Sequence, residues 1–210
     1  MAKNKLIAAI DVGSSKIVTL LGQLREDSPD KVHVVGVSSV PSRGIRKGQV
    51  VNIDEAVTTI TSSVEAAERM AGFNLTKAYI SVDGAHISSQ NSQGVVAVSE
   101  PHGEINSEDV RRVLDAARAI SLPAAIEILH VIPRTFTVDG QEGIKDPIGM
   151  TGVRLEAGTH IVTGSTTAIK NLQKCISEVG CDISSLVFAG LAYSEAVLTD
   201  TERELGVLLV

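Results

Sequence analysis

The chain has 210 residues and a formal net charge of −6, with 43% hydrophobic but only 2% aromatic residues. The negative net charge argues against a basic surface that binds the phosphates of nucleic acid. The shortage of aromatic rings argues against stacking of single-stranded bases, so we expect no nucleic-acid partner. Two cysteines are too few for a disulfide scaffold, and no apolar run approaches the roughly 20 residues of a membrane span. We therefore expect a cytoplasmic protein with reduced thiols.

The chain opens with three short apolar runs, Leu6–Ile10, Ile17–Leu21 and Val32–Val37. Their length and their content of Val, Ile and Leu predict β-strands. Because only short turns separate the runs, we expect an antiparallel meander rather than a strand–helix–strand unit. The first residues, MAKNKLIAAID, reach an acidic residue too early to form a signal peptide.

A loop at Pro41–Gly48 leads into a helix with clear signals at both ends. Asn52 is placed to cap the N-terminus, and Glu55 follows three residues later, as in a capping box. Apolar residues recur at helical spacing from Ile53 to Met70 and predict one buried stripe. Gly72 is suited to end the helix.

After a strand predicted at Lys77–Val82, the character of the sequence changes at Gly84 and becomes polar and rich in serine. Pro133 lies inside one of the later strands and predicts either an edge position or a β-bulge. The elements expected in this stretch are an apolar run at Val95–Val98, a turn at Pro101-His102-Gly103, a helix capped by Asn106 or Ser107, a strand at Glu127–Val138, a loop at Asp139–Gly152 and a strand at Val153–Val162.

The last part of the chain is predicted to hold two helices and two strands. Its final run, GVLLV, would leave backbone groups and apolar side chains without partners, so we interpret Val210 as a boundary inside a longer protein. The expected elements are a helix starting near Thr166 or Thr167, a buried strand at Ser185–Phe188, a helix at Ala189–Leu198 and the beginning of a strand at Gly206–Val210.

The turn between the first two strands has the residue types of a phosphate-binding loop. Gly13 lets the backbone approach an anion, and successive backbone N–H groups can point at one position. Ser14 and Ser15 can add hydroxyl donors, and Lys16 can add a positive charge. Asp11 ends the first strand and can hold a magnesium ion through a bound water, since magnesium keeps several waters. The spacing of a Walker loop is absent.

Plainer interpretations exist for the same residues. An Asp-x-Gly turn is common between strands, so a simple hairpin explains the loop equally well. Lys16 is then an exposed turn lysine instead of a phosphate ligand. The basic residues Arg43, Arg46 and Lys47 either contact a partner or form a solvated loop, and charge groups of this size are usually solvated.

Several stretches resemble known families. LIAAIDVGSSKIVTLLGQL resembles the first phosphate motif of the actin, Hsp70 and sugar-kinase superfamily. VVGVSSVPSRGIRKGQVVNIDEAVTTI, ILHVIPRTFTVDGQEGIKDPIGMTGVRLEA and LVFAGLAYSEAVLTDTERELGV together resemble the FtsA family of bacterial cell-division proteins. The resemblance runs from about Leu6 to Val210. Pilus-assembly proteins of the PilM type share the architecture but are not expected to share these strings.

The resemblance implies an α/β fold with an actin-like (ribonuclease-H-type) subdomain 1A and an inserted SHS2-type subdomain 1C. We expect the first part of 1A at residues 1–84, 1C at 85–182 and a return to 1A at 183–210. The end of 1C is left open between 165 and 182. In the family a second phosphate motif follows a strand like GVLLV, so we expect this chain to hold only half of the nucleotide site.

The resemblance also implies a function. The family consists of ATP-binding adaptors, not enzymes, although weak ATPase activity of a full-length member is compatible with this. Members polymerise on the cytoplasmic face of the inner membrane at the division site, tether FtsZ polymers and recruit later division proteins. It implies ATP and Mg²⁺ as ligands, with Asp11, Gly13, Ser14, Ser15 and Lys16 at the phosphates. FtsZ binding and the C-terminal membrane helix belong to the second half of the family's sequence, and filament contacts and late division proteins to 1C.

Three rival functions stay open at this point. One is an actin-like adaptor of pilus assembly, and another is an interaction module that does not depend on nucleotide. The third is a phosphotransferase of the same superfamily, which needs a catalytic carboxylate near the γ-phosphate and an acceptor pocket. The sequence shows neither of these two features.

Overall fold

The computed structural model describes residues 5–26, 28–99 and 103–209. The chain divides into two compact units, and we call Met1–His86 with Thr166–Val210 the first unit and Ile87–Ser165 the inserted unit. The chain leaves the first unit after His86 and returns at Thr166. The return falls at the start of the interval 165–182 in which the sequence left the boundary open.

The chain contains both helices and strands, as expected for an α/β protein. In chain order they are β1 (Lys5–Val12), β2 (Lys16–Arg25), β3 (Ser28–Pro41), β4 (Ile45–Arg46), β5 (Gln49–Val50), α1 (Ile53–Ala71), β6 (Lys77–Val82), β7 (Ser88–Ala97), α2 (Ser107–Arg118), β8 (Ile126–Val138), β9 (Gln141–Ile144), β10 (Arg154–Ser165), α3 (Thr166–Glu178), β11 (Asp182–Phe188), α4 (Ala189–Val197) and α5 (Asp200–Leu205).

The first unit is built on a five-stranded sheet in the order β11-β6-β1-β2-β3. β1, β2 and β3 pair antiparallel, as the meander prediction requires, whereas β6 and β11 join in parallel. Along β1 the side chains of Ala8, Ile10 and Val12 are buried while those between them are half-exposed. Because side chains alternate across a strand, one face of the sheet forms the core and Asp11 lies on the other face.

Helix α1 packs on the buried face of the first unit's sheet. The backbone N–H of Glu55 donates to the side chain of Asn52, and Gly72 ends the helix in the left-handed conformation, as predicted. The expected capping box is only half formed, because Glu55 does not return a hydrogen bond to the backbone of Asn52. Under the helix, the hydroxyls of Thr19 and Ser63 form a buried hydrogen bond of 2.8 Å.

The inserted unit has its own four-stranded sheet in the order β7-β10-β8-β9. Helix α2 packs against it over an apolar cluster that includes Ile105, Val113 and Leu155. Helix α2 begins directly after the predicted cap, Asn106, and ends at Arg118. The β8–β10 register shifts between Gly158 and Thr159, where Pro133 pairs with Thr159. The predicted bulge at the proline is therefore confirmed.

One prediction in the inserted unit was wrong, and another lies mostly outside the described residues. The stretch 139–152, predicted as a loop, contains strand β9, which pairs antiparallel with the end of β8. Asp139 and Gly140 both have positive φ angles, 47° and 88°, so they turn the chain tightly enough for β9 to pair back. The predicted turn at Pro101-His102-Gly103 lies mostly outside the described residues, since Pro101 and His102 are not among them.

Other predictions in the first unit were wrong in part. The loop 41–48 ends in a small hairpin, because β4 and β5 pair around Lys47 and Gly48. Strand β11 forms but is not buried, since it is the edge of the sheet and its side chains are exposed or half-exposed. Residues 206–209 form no strand, because no other strand pairs with them, and Val210 lies outside the description. Helix α5 was missed, although Thr199 and Glu202 form a capping box there.

Candidate functional site

The predicted phosphate loop is a tight connection between β1 and β2. β1 ends at Val12 and β2 begins at Lys16. The backbone N–H of Gly13 donates to the carbonyl of Lys16 at 3.1 Å. A Cβ at position 13 would lie 2.8 Å from that same carbonyl oxygen, closer than real Cβ contacts come. Glycine is therefore required by the hairpin itself, which is a reason independent of any bound anion.

The two serines at the tip of the loop are exposed. The hydroxyl oxygen of Ser14 accepts a hydrogen bond of 2.8 Å from the N–H of Gly48, and the carbonyl of Ser15 accepts one of 3.0 Å from the N–H of Ser42. Within the described residues the backbone N–H groups of Ser14 and Ser15 have no hydrogen-bond partner. The segment 42–48 thus holds the loop in place, while the N–H groups of Ser14 and Ser15 stay available to a ligand.

Lys16 follows these donors at the first position of β2. Its side chain is exposed and forms no ion pair with any described residue. It lines a cleft of about 440 Å³ on the exposed face of the first unit's sheet, and Asp11 lines the same cleft. The loop therefore offers two N–H donors at its tip, and its last residue adds one positive charge to the cleft.

Asp11 is half-buried and receives two hydroxyl donors. Ser81 on β6 donates to Oδ1 at 2.5 Å, and its own oxygen accepts the N–H of Val12 at 3.0 Å. The hydroxyl of Tyr193, on α4, lies 3.3 Å from each carboxylate oxygen. Burial, the charge of Asp11 and this hydrogen bond, with a smaller effect of Asp83, raise the pKa of the Tyr193 phenol above its ordinary value.

Ser81 and Tyr193 are not part of the sequence prediction. For Ser81 a signal existed, because residues 77, 79 and 81 alternate with the apolar core positions of β6 and so share the face of Asp11. For Tyr193 there was no such signal, because the small residues of its helix indicated only close packing. Only the fold brings a position 182 residues away in sequence to Asp11.

The donor set bears on which metal could bind. No group of three His, Cys, Asp or Glu side chains able to hold an ion occurs within residues 5–26, 28–99 and 103–209. Asp11 therefore belongs to no cluster of three such ligands among these residues, and a site with few carboxylates suits a cation that keeps most of its water shell, such as magnesium. Asp11 fits the water-mediated contact that was predicted for it.

The basic residues near the loop have a structural role. Lys47 has a φ of 51° and Gly48 a φ of 73°, and together they form the turn between β4 and β5. This turn delivers the Gly48 N–H to Ser14. Arg43, Arg46 and Lys47 are exposed. The backbone of this segment supports the phosphate loop, while its charged side chains face solvent.

The inserted unit holds a different kind of carboxylate site. Asp109, in the first turn of α2, is fully buried and accepts the N–H groups of Ser99 and Asn106 at 3.2 Å each. Arg112 lies 3.7 Å from the same carboxylate and also bonds to Ser99. On the exposed side of α2, Arg111 pairs with Glu108 and, at 3.9 Å, with Asp115. The exposed side of α2 is therefore a row of paired charges.

The two units together define a class of protein: an actin-like fold with an SHS2 domain inserted into it. Residues 84–163 match the family described as the SHS2 domain inserted in FtsA. The structure is similar to the PilM-PilN type IV pilus biogenesis complex, with a TM-score of 0.61 and 12% identity, covering 90% of this chain and 49% of that chain. At this identity the likeness concerns the fold alone.

Sequence relatives are more specific. The chain is 42% identical to cell division protein FtsA of Pseudomonas aeruginosa over 98% of its length and 48% of that protein. It is 44% identical to cell division protein FtsA of Borreliella burgdorferi over its whole length and 50% of that protein. The chain is thus a homologue of the cell-division protein FtsA, and it spans about half the length of the curated relatives it matches.

One further property follows from the helices. None of those in the described part of the chain combines the length and the apolar character that crossing a bilayer requires.

Proposed function

We propose that this chain supplies the phosphate-side half of an ATP site in a bacterial cell-division adaptor. The observation that supports this most is the loop between Asp11 and Lys16, in which the N–H groups of Ser14 and Ser15 have no partner among the described residues, while Asp11 and Lys16 line one cleft. Such a cluster of donors with a flanking cation suits a polyphosphate, because N–H groups and positive charge both stabilise its oxygens.

Each residue of the loop has a distinct role in this proposal. Gly13 closes the hairpin, Ser14 and Ser15 donate to phosphate oxygens, and Lys16 neutralises their charge. Asp11 accepts hydrogen bonds from waters bound to Mg²⁺. The cation screens the charge of the phosphates against the carboxylate, so that a polyphosphate and Asp11 can share the site.

The nucleotide acts as a conformational ligand in this proposal and not as a substrate for transfer. A ligand that bridges two halves of a protein shifts its conformations only by binding one of them more tightly. We infer that ATP favours a conformation able to form filaments on the cytoplasmic face of the inner membrane at the division site. Weak hydrolysis in a full-length protein is compatible with this role.

The partners are inferred from the homology. We propose that the full-length protein tethers FtsZ polymers, through parts beyond this chain, and reaches the membrane through a C-terminal helix. Subdomain 1C is proposed to contact neighbouring subunits in the filament and late division proteins. To test that contact we choose the exposed charged residues of α2, which are Glu108, Arg111 and Asp115.

The rival functions are less well supported. Relatives at 39% and 44% identity are cell-division proteins, while the likeness to the pilus complex is at 12% identity. A phosphotransferase needs a carboxylate free to act as a base. Asp11 is assigned to metal-bound water in this proposal, and the sequence indicates no second carboxylate for the role of the base.

ATP binding by two proteins tests the nucleotide site. We expect weak binding by the 210-residue chain and tight, magnesium-dependent binding by a chain extended to the length of its relatives. In the extended chain, Lys16→Ala and Asp11→Ala should each weaken ATP binding about tenfold or more, as expected for contacts with charged groups. Arg43→Ala, which changes an exposed basic residue outside the turn between β4 and β5, is the control. Unchanged affinity in both loop variants would show that the loop does not bind phosphate.

The 1C contact has its own test. Glu108→Arg, Arg111→Glu and the double exchange should be compared for pelleting of the extended protein on lipid vesicles. The double exchange restores the pair on the helix but reverses what a neighbour meets. We expect all three to reduce pelleting, and wild-type pelleting of all three would argue against a filament contact here.

A further inference from the structure

We propose that Tyr193 covers Asp11 and competes with the hydrated divalent cation that Asp11 would hold. The inference rests on the proposed function, because it assigns a role to a residue of the same site. It concerns how readily the site accepts a metal ion, which neither the loop sequence nor the homology addresses.

The two hydroxyls on Asp11 are held very differently. Ser81 lies on the neighbouring strand, 2.5 Å from Oδ1, and its oxygen is fixed by the N–H of Val12. Tyr193 lies 3.3 Å from both oxygens, beyond the usual range for hydroxyl hydrogen bonds, so it is shared between the two and bonds weakly to each. Ser81 therefore fixes the carboxylate, while Tyr193 can leave it at small cost.

Their positions also differ. Ser81 is part of the sheet that carries Asp11, whereas Tyr193 reaches Asp11 from α4 and is 46% exposed. Asp11, Lys16 and Tyr193 all line one cleft. A ligand that binds Asp11 in this cleft therefore shares the space with the Tyr193 hydroxyl, which lies 3.3 Å from each oxygen of Asp11.

The chemistry of the cation makes the two donors competitors. Magnesium keeps most of its waters, and these bind a carboxylate by donating hydrogen bonds. An ionised carboxylate has about four acceptor positions on its two oxygens. Ser81 takes one on Oδ1, and a phenol placed between both oxygens blocks the positions where two bound waters would donate. Cation binding then requires the phenol to move away.

Metal binding measured directly gives the test. In a chain extended to the length of its relatives, Mn²⁺ would be titrated with and without ATP and the free ion followed by electron paramagnetic resonance. Tyr193→Phe should lower the apparent Kd for Mn²⁺ roughly fivefold, the size expected from removing one weak hydrogen bond to a charged group. ATP affinity in the presence of EDTA should not change, whereas a merely structural disturbance would alter it.

A matched control is available. Tyr79 lines the same cleft, and its hydroxyl has no hydrogen-bond partner in the described part of the chain, so Tyr79→Phe should leave the Kd for Mn²⁺ unchanged. Unchanged or weaker Mn²⁺ binding by Tyr193→Phe would overturn the proposal, and weaker binding would make Tyr193 a positioning donor instead. Asp11→Asn separates the two ideas. If it leaves the metal dependence of ATP binding intact, the proposed metal contact itself is wrong, whatever Tyr193 does.

Discussion

Two aspartates, Asp11 in the first unit and Asp109 in the inserted unit, show how differently the two regions use a carboxylate. Asp109 is completely buried and surrounded by donors of its own unit, namely the N–H groups of Ser99 and Asn106 and the Arg112 guanidinium. Asp11 is half-buried, has two hydroxyl donors and faces a cleft. A carboxylate held by buried donors stabilises a fold, while one that lines a cleft and has a weakly held donor can exchange that donor for a ligand.

The difference extends to the surroundings. Around Asp109 the capping box closes the start of α2, so the polar groups of the helix end are satisfied. Around Asp11 the loop leaves the N–H groups of Ser14 and Ser15 without partners in the described residues. Unpaired donors are tolerated only where water or a ligand reaches them. We therefore expect substitutions at Asp11 to alter binding and substitutions at Asp109 to alter stability.

The largest expected effect is on the stability of the inserted unit. Asp109→Ala should lower the free energy of unfolding by about 2–3 kcal/mol, because two backbone N–H groups and Arg112 lose their acceptor. Thermal and urea unfolding of the inserted unit measure it. Asp115→Ala, exposed on the same helix, should change stability by less than about 0.5 kcal/mol.

The same measurement on Asp11→Ala completes the comparison. Because Asp11 is only half-buried and its donors are hydroxyls that water can reach, we expect a loss under about 1 kcal/mol. Losses of equal size at Asp11 and Asp109 would mean that both carboxylates are structural. The assignment of Asp11 to a ligand site would then lose its main physical support.

The next largest effect concerns how closely helices approach the two sheets. A Cβ on Gly94 of β7 would lie 2.2 Å from the carbonyl of Val113 in α2, and one on Gly36 of β3 would lie 2.5 Å from the carbonyl of Ala67 in α1. Gly94→Ala should therefore destabilise the inserted unit by about 1–3 kcal/mol, as overpacking does. At Gly158, in the same sheet, the nearest atom is 3.4 Å away on a side chain, so Gly158→Ala is the milder control. A neutral Gly94→Ala would show that α2 can shift without cost.

Sequence patterns predicted most of this fold and part of the site. The strand Lys77–Val82, the cap at Asn52 and the bulge at Pro133 all follow from local rules of periodicity, capping and proline geometry. What depends on distant partners was missed or misjudged. The exposed edge position of β11 and the unpaired run at 206–209 are set by which strands lie beside them, and this information is not local.

The site divides in the same way. The loop from Asp11 to Lys16 is continuous in sequence and was predicted as a unit. Ser81 and Tyr193 reach Asp11 through sheet pairing and through α4, over sequence separations of 70 and 182 residues. The carboxylate could be found from the sequence, but the donors that decide its availability could not.

A smaller effect distinguishes the regions by pH. Burial raises the pKa of Asp109, but the N–H groups of Asn106 and Ser99, the Ser99 hydroxyl and Arg112 outweigh it, so the pKa lies below its ordinary value. A lowered folded-state pKa contributes stability above the unfolded pKa of about 3.9, and this is lost as pH falls through the folded-state pKa. Acid should therefore destabilise the inserted unit. Asp109→Asn should flatten this part of the pH profile, and an unchanged profile would assign the acid sensitivity to other groups.

The smallest effect on stability is expected from a buried pair of hydroxyls in the first unit. Unlike Asp11, this pair is not exposed to solvent. The Thr19 and Ser63 hydroxyls are fully buried and 2.8 Å apart, and Ser38 lies 3.5 Å from Ser63. Thr19→Val should cost about 1 kcal/mol of unfolding free energy, because it leaves the Ser63 hydroxyl with only the longer contact. Thr58→Val, an exposed threonine of α1 that bonds only to its own helix, should be nearly neutral.

Adding Ser63→Ala to Thr19→Val should cost less than the sum of the two single variants, since the double variant also removes the Ser63 hydroxyl that Thr19→Val leaves without its close partner. ATP affinity of the extended chain should stay unchanged in the double variant. Strict additivity would mean that the two hydroxyls do not interact, and a change in ATP affinity would mean that the core under α1 and the loop at Asp11 are coupled. Either result would break the separation between satisfied polar groups that stabilise the fold and open ones that bind.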